Sequence, residues 1–231
     1  MTMNIIKFLA IGLVTLAMSA NVFANPQEQV LQLQKAWAVA NYTLKDKPQI
    51  TAFETLVQQA DKAVTANADS VELLIWRGVI KASLAGAKGG LDALSFVKSA
   101  KADFEKALTM DDKALSGASY TNLGVLYYKV PGWPLSFGDD DKAKIYLEKA
   151  LAIDSIGIEN NYFYADYLID QHLYEDAERY LLKAQHSPPR LNRPIADKGR
   201  QAEIAMALHN IKLQLKDKNQ DKHNASFTDR R

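Results

Sequence analysis

Apolar residues recur along this chain at intervals of three and four, and no segment sustains an alternation of period two. The first spacing marks one face of a helix and the second would mark a strand, so the pattern predicts helices and no strands. Val30, Leu31, Leu33, Ala36, Trp37, Val39 and Ala40 give the segment from Pro26 to Lys45 a broad apolar face. Phe53, Leu56, Val57, Ala60 and Ala63 define a second helix from Ile50 to Thr65, and Asn67 to Ser70 reads as a turn with Asp69 or Ser70 as the next N-cap. Helices follow over Val71–Ala85 and Leu94–Met110, separated by the glycine-rich stretch Gly86 to Gly90. Two more flank an aromatic turn, Val130-Pro-Gly-Trp-Pro-Leu-Ser-Phe-Gly-Asp139, with Asp139, Asp140 or Asp141 placed to cap the second. Ile158–Gln171 and Tyr174–His186 come next, then an extended link imposed by Pro188, Pro189 and Pro194, then a last amphipathic helix from Ile195 to about Lys216. Residues 217–231 are polar and are expected to be disordered.

The helices repeat. Ala143, Leu147, Lys149 and Ala150 recur as Ala177, Leu181, Lys183 and Ala184, each pair 34 residues apart. Glu105-Lys-Ala-Leu108 returns word for word as Glu148-Lys-Ala-Leu151. From Ala165 to Ala177 the step is 12, from Gly124 to Ala143 it is 19, and from Gly78 to Ala100 it is 22, so the earlier hairpins carry 7 and 10 inserted residues. Gly or Ala at the crossing lets two helices approach, and Phe or Leu on the partner fills the gap. A fixed period of 34 is the mark of stacked helix pairs.

These residues resemble the tetratricopeptide repeat superfamily from about Val71 to Pro189. The long inserted turns, the Pro-Gly-Trp-Pro…Phe-Gly-Asp segment and the leader described below are similar to the T-component family of tripartite ATP-independent periplasmic (TRAP) transporters. That resemblance implies an all-α periplasmic protein that binds a substrate-binding protein partner or a small, partly apolar ligand. Members are typically lipoproteins, whereas this chain has no cysteine to acylate. In the superfamily the first helix of each hairpin lines a concave groove, which here implies Ile75, Val79, Thr121, Val125, Tyr128, Lys129, Tyr162, Asp166 and Asp170. Lys and Asn are missing at the groove positions Ile75, Val79 and Thr121, where relatives that capture a peptide carboxylate carry them.

Composition narrows the setting. Residues 1–24 read as a cleaved signal peptide: Lys7 near the amino terminus, the apolar run Phe8 to Met18, then Val22-Phe23-Ala24 for the peptidase. That run of 11 is shorter than the roughly 20 residues of a membrane span. The mature chain, expected to be periplasmic or secreted, then has 28 − 1 = 27 basic and 27 acidic residues, a balance that argues against a nucleic-acid partner. Residues 25–216 are expected to form one helical-repeat domain.

The candidate ligand- or partner-binding residues are Tyr128, Lys129, Trp133, Phe137, Tyr162 and Asp166. Trp133 and Phe137 serve either as a pre-ordered recognition surface or as a cap on the stack. The last helix either packs into the groove or leaves it open. Arg190, Arg193, Asp197, Arg200 and Glu203 either grip a carboxylate or pair among themselves. His172, His186, His209 and His223 lack metal-ligand spacing, Gly86 to Gly90 lacks the phosphate-loop pattern, and Asp139 to Asp141 lack the rest of a calcium loop. No cofactor, metal or catalytic residue is expected. The sequence points to a binding or scaffold protein, with an envelope-assembly adaptor or an enzyme using an unseen carboxylate pair as alternatives.

Overall fold

The computed structural model describes residues 25–228, with side chains as far as Lys216. The leader expected in residues 1–24 lies outside the described residues, as do residues 229–231.

The described chain is all α. Its helices are α1 (Pro26–Thr43), α2 (Asp46–Ala66), α3 (Val71–Lys88), α4 (Ala93–Met110), α5 (Ala114–Lys129), α6 (Asp140–Ile153), α7 (Ile158–Asp170), α8 (Tyr174–Gln185) and α9 (Pro194–Thr228). Among the described residues the nearest thing to β structure is one isolated bridge between Gly132 and Gly138. Two of the anticipated caps are present: Ser70 Oγ accepts from the Leu73 N–H at 3.3 Å, and Asp139 Oδ1 accepts from the Lys142 N–H at 3.0 Å. Each satisfies an amide that the first helical turn leaves unpaired. Helix α9 runs on past Lys216 because the stretch to Thr228 contains neither Gly nor Pro to stop it.

The helices pack as antiparallel hairpins α3–α4, α5–α6 and α7–α8, stacked in chain order. Close crossings fall where the repeat places its small residues. A Cβ added to Gly78 would lie 2.6 Å from the Phe104 ring, and one added to Gly124 would lie 2.6 Å from Leu147 Cγ. Ala165 and Leu181 are buried together in the third hairpin, at the equivalent repeat positions. The insertions sit between paired helices. Gly89 and Gly90, both at positive φ, end α3 and start the first insertion. In the second, Gly138 folds so tightly under Val130 that the Val130 carbonyl oxygen lies 2.0 Å from where a Cβ would be.

Three buried clusters follow one another along the stack. The first joins α1, α2 and α3, the second α3, α4 and α5, and the third α5 to α8. Helix α9 belongs to both ends: Ala196 is buried in the first cluster, and Ile204, Leu208 and Ile211 in the third. It packs on α8 and on α1. Helix α9 thus bridges the stack from α8 back to α1.

Candidate functional site

The inner helices and α9 enclose a cavity of about 620 Å³. Its apolar wall comes from Trp37 on α1, Ile75, Trp76 and Val79 on α3, Val125 on α5, and Ile158 and Phe163 on α7. Trp37 and Trp76 meet edge to face at 5.7 Å, and the Trp37 indole N–H donates to Ser83 Oγ at 2.8 Å. Four of the anticipated groove positions, Ile75, Val79, Thr121 and Val125, line this cavity.

The floor is set by an irregular start to α5. Leu115, Ser116 and Gly117 all adopt left-handed φ, so regular helix begins only at Ala118. Such a conformation is costly for Leu and Ser, and it persists because side chains from elsewhere over-determine it. Asn160 supplies much of that, its amide donating to the Ser116 carbonyl at 3.1 Å. Leu115, Ser116 and Asn160 all line the cavity.

At the other end lie the arginines of the α8–α9 link and of α9. Arg190 donates from its backbone N–H and from Nε to the Asp197 carboxylate, both at 2.6 Å, and its Nη2 reaches Glu159 Oε1 at 3.0 Å. Arg200 bridges Glu159 at 2.9 Å and Glu203 at 2.6 Å, and its guanidinium stacks 4.1 Å from the Tyr162 ring. Burial pushes the Glu159 carboxyl up, but Arg200, Arg190 and Arg193 together outweigh it and hold the group below the usual carboxylate range. For Glu203 burial wins over the opposing pull of Arg200, and its carboxyl sits above the ordinary value. The self-pairing alternative therefore describes Arg190, Asp197, Arg200 and Glu203, joined through Glu159, which belongs to α7.

Arg193 is different. Its guanidinium lies 5.1 Å from the centre of the Trp76 ring, and it makes no ion pair and no side-chain hydrogen bond among the described residues. Its Nε–H is buried without a partner, as is the Trp76 indole N–H. Gln34, 9% exposed on α1, lines the same cavity and makes no side-chain hydrogen bond among the described residues.

The six candidate residues separate into two places. Tyr128, Lys129, Tyr162 and Asp166 come together: the buried Tyr128 hydroxyl donates to Asp166 Oδ2 at 2.7 Å, and Lys129 Nζ pairs with the same oxygen at 2.9 Å. Burial, then the Asp166 charge, raises the Tyr128 pKa. Tyr162, pushed by burial up to about 12, and Asp166 line a second, shallower pocket with Tyr174, Met206 and Asn210. Trp133 and Phe137 lie apart on the inserted turn. Phe137 packs edge to face on Tyr127 at 5.5 Å, which is a structural contact, whereas Trp133 is 90% exposed. Gln34, Trp37, Trp76 and Asn160 were not anticipated; Trp37 and Trp76 carried a signal only as large residues on apolar helix faces. No group of three or more His, Cys, Asp or Glu among the described residues is arranged to hold a metal, and none of the described helices is long and apolar enough to cross a membrane.

Neither a family model nor a curated protein matches the chain. Among solved structures it is similar to a thermophilic TPR protein of Thermus thermophilus, with 15% identity and a TM-score of 0.53, covering 80% of this chain and 99% of that one. The chain has a tetratricopeptide-like fold. At that identity the likeness speaks for architecture alone. It accounts for the 34-residue period and the hairpin stacking; within this tetratricopeptide-like frame, α9 and the paired arginines wall the groove into a cavity.

Proposed function

We propose that this tetratricopeptide-like protein is a binding module of the cell envelope, exported by its N-terminal segment, that holds a small organic ligand in its concave cavity. The cavity carries the reading. Ligand sites of a few hundred cubic ångströms with mainly apolar walls and a few fixed polar groups are the usual form for small molecules, and the 620 Å³ space has both properties. A role as an accessory to periplasmic solute uptake is the finer part of the proposal, supported by the resemblance of the Val130–Asp139 segment to the TRAP T-components. Glu159, the partly buried carboxylate at the cavity, is engaged by Arg190 and Arg200, which favours holding a ligand over transferring protons.

The test is native mass spectrometry of the mature protein purified from the periplasm of its own cells. A non-covalent adduct that disappears in a Val125→Trp variant is expected. A mass equal to the bare chain, with no thermal stabilisation by any member of a metabolite library, would overturn the reading.

One observation favours a protein partner in addition. Trp133 and Leu135, 90% and 64% exposed, stand together on the inserted turn, and exposed aromatic anchors on a fixed backbone are typical of recognition surfaces. An adaptor role would use this turn and leave the cavity to its ligand. Trp133→Ala should then weaken partner binding at unchanged melting temperature.

A further inference from the structure

We infer that the ligand of the cavity is an amphipathic monocarboxylate, with its head on Arg193 and its apolar body along Trp76, Val79, Val125 and Phe163. The inference rests on the cavity being a small-molecule site and specifies what that site selects.

Hydrogen-bond capacity singles out Arg193. A guanidinium offers five N–H donors in a flat fork that matches a carboxylate. Arg190 and Arg200 use theirs on Asp197, Glu159 and Glu203. Arg193 uses none on the described residues, although it is half-buried at the cavity wall and its Nε–H is out of reach of water. The Trp76 ring, its centre 5.1 Å from the guanidinium carbon, adds a cation–π contact that holds the group at the cavity wall. Burial, followed by the neighbouring Arg190, disfavours the charge of Arg193, and Glu159 and Asp197 offset this only from beyond ion-pair distance. An anion brought into the cavity would meet the Nη donors, which, unlike Nε–H, are not sealed off and bond no described residue.

One unpaired cation selects a monoanion. Among the charged residues lining the cavity, Arg190 and Arg200 are paired with Glu159, Asp197 and Glu203, which leaves Arg193 as the lining cation with no ion pair among the described residues. Asp197, behind Arg190, is fully taken up by that residue's side chain and backbone. A dianionic phosphate would face Glu159 and Asp154 across the same space, whereas a single carboxylate matches the one unpaired cation. The remaining wall is apolar, with the Gln34 amide free to meet one further polar group. An apolar body bearing one carboxylate fits these surfaces.

The experiment uses the mature chain with decanoate, decanol and decyltrimethylammonium as probes, followed by isothermal titration and thermal shift. Decanoate should bind, with decanol about tenfold to a hundredfold weaker, as the loss of charge-assisted hydrogen bonds implies. Decyltrimethylammonium should be weaker still. Arg193→Gln should bring decanoate down to the level of decanol while leaving decanol binding unchanged, which also shows that the variant folds. Val125→Trp should abolish both. Equal binding of decanoate and decanol, or an Arg193→Gln protein that keeps the preference, would overturn the monocarboxylate while leaving the cavity reading standing. Failure of both probes to bind would remove the two together.

Discussion

The Thr121 hydroxyl donates to Asn160 Oδ1 at 2.7 Å, a buried bond between α5 and α7 across 39 residues of sequence. The same Asn160 donates from Nδ2 toward the carbonyls of Ser116, Ala150 and Asp154, at 3.1, 2.9 and 3.2 Å. One amide thus ties the left-handed start of α5 to the end of α6. Asn160→Ala takes the side-chain donor from the Ser116 and Asp154 carbonyls and leaves the Thr121 hydroxyl only its 3.5 Å contact with the Gly117 carbonyl, and should cost on the order of 3 kcal/mol. Thr121→Val removes the bond to Asn160 and the long 3.5 Å contact with Gly117 but keeps the shape, so it should cost about 1 kcal/mol. Urea unfolding of both variants checks the ratio; equal losses would show that Asn160 matters only through Thr121.

Two glycines should respond to the same substitution with opposite sign. Gly124→Ala gains up to about 1 kcal/mol in helix propensity, but its Cβ would stand 2.6 Å from Leu147 Cγ and 3.2 Å from the Ala143 carbonyl. Overpacking of that kind costs about 1–3 kcal/mol, so the net effect should be destabilising. Gly86, exposed on α3, has nothing within 4 Å of an added Cβ. Gly86→Ala should stabilise by about 0.5–1 kcal/mol. Thermal melts of the two variants provide the comparison.

Asp103 is buried between α3 and α4, bonded to Arg77 Nε at 2.9 Å and to Lys81 Nζ at 3.0 Å. Asp103→Asn strands two partly buried cations and should cost about 3–5 kcal/mol. Asp61, which contacts the same cations from a half-exposed position at 3.4 and 3.9 Å, should cost less than about 1 kcal/mol when changed to Asn. Chemical denaturation at low and at high salt should show sensitivity chiefly for the Asp61 contact.

Glu159 and Glu203 should give opposite slopes of stability against pH. The Glu159 pKa is lowered in the folded state, so its contribution is present above the ordinary value near 4.5 and is lost as pH falls through the folded value. Glu203 is raised, so folding favours its neutral form, and stability is lost as pH rises from its ordinary value through the folded one. Melting temperature followed from pH 3 to 7 should therefore fall less steeply on acidification in Glu159→Gln, and more steeply in Glu203→Gln.

What could be read from the chain was whatever recurs in it. Gly78, Gly124 and Ala165 stand at repeat positions, and their partners Phe104, Leu147 and Leu181 follow at the spacing that the insertions explain. Ser70 and Asp139 announced themselves as caps because a short polar side chain preceded an apolar helix. The cavity is built from unrepeated pairings. Arg193 meets Trp76 across 117 positions and Arg200 meets Glu159 across 41, and neither helical period nor local propensity encodes such distances. Leu115 and Ser116 in left-handed backbone were equally hidden, since their conformation is imposed by Asn160 on another helix. Lys129 on α5 and Asp166 on α7 pair with each other, and Asp166 with Tyr128, and neither lines the cavity.

The return of α9 to α1 changes how such a stack should assemble. Linear repeat arrays fold from any nucleus and spread neighbour by neighbour. Here the Tyr42 hydroxyl donates to Glu203 Oε2 at 3.4 Å across 161 residues, and the Tyr42 ring presses against Gly199 so closely that no Cβ would fit. A contact between α1 and α9, the first and last of the described helices, closes a loop over every hairpin between them, and closing so large a loop slows folding. The ring closure makes the first and last helices one cooperative unit, so a repeat could not be added or deleted without breaking it.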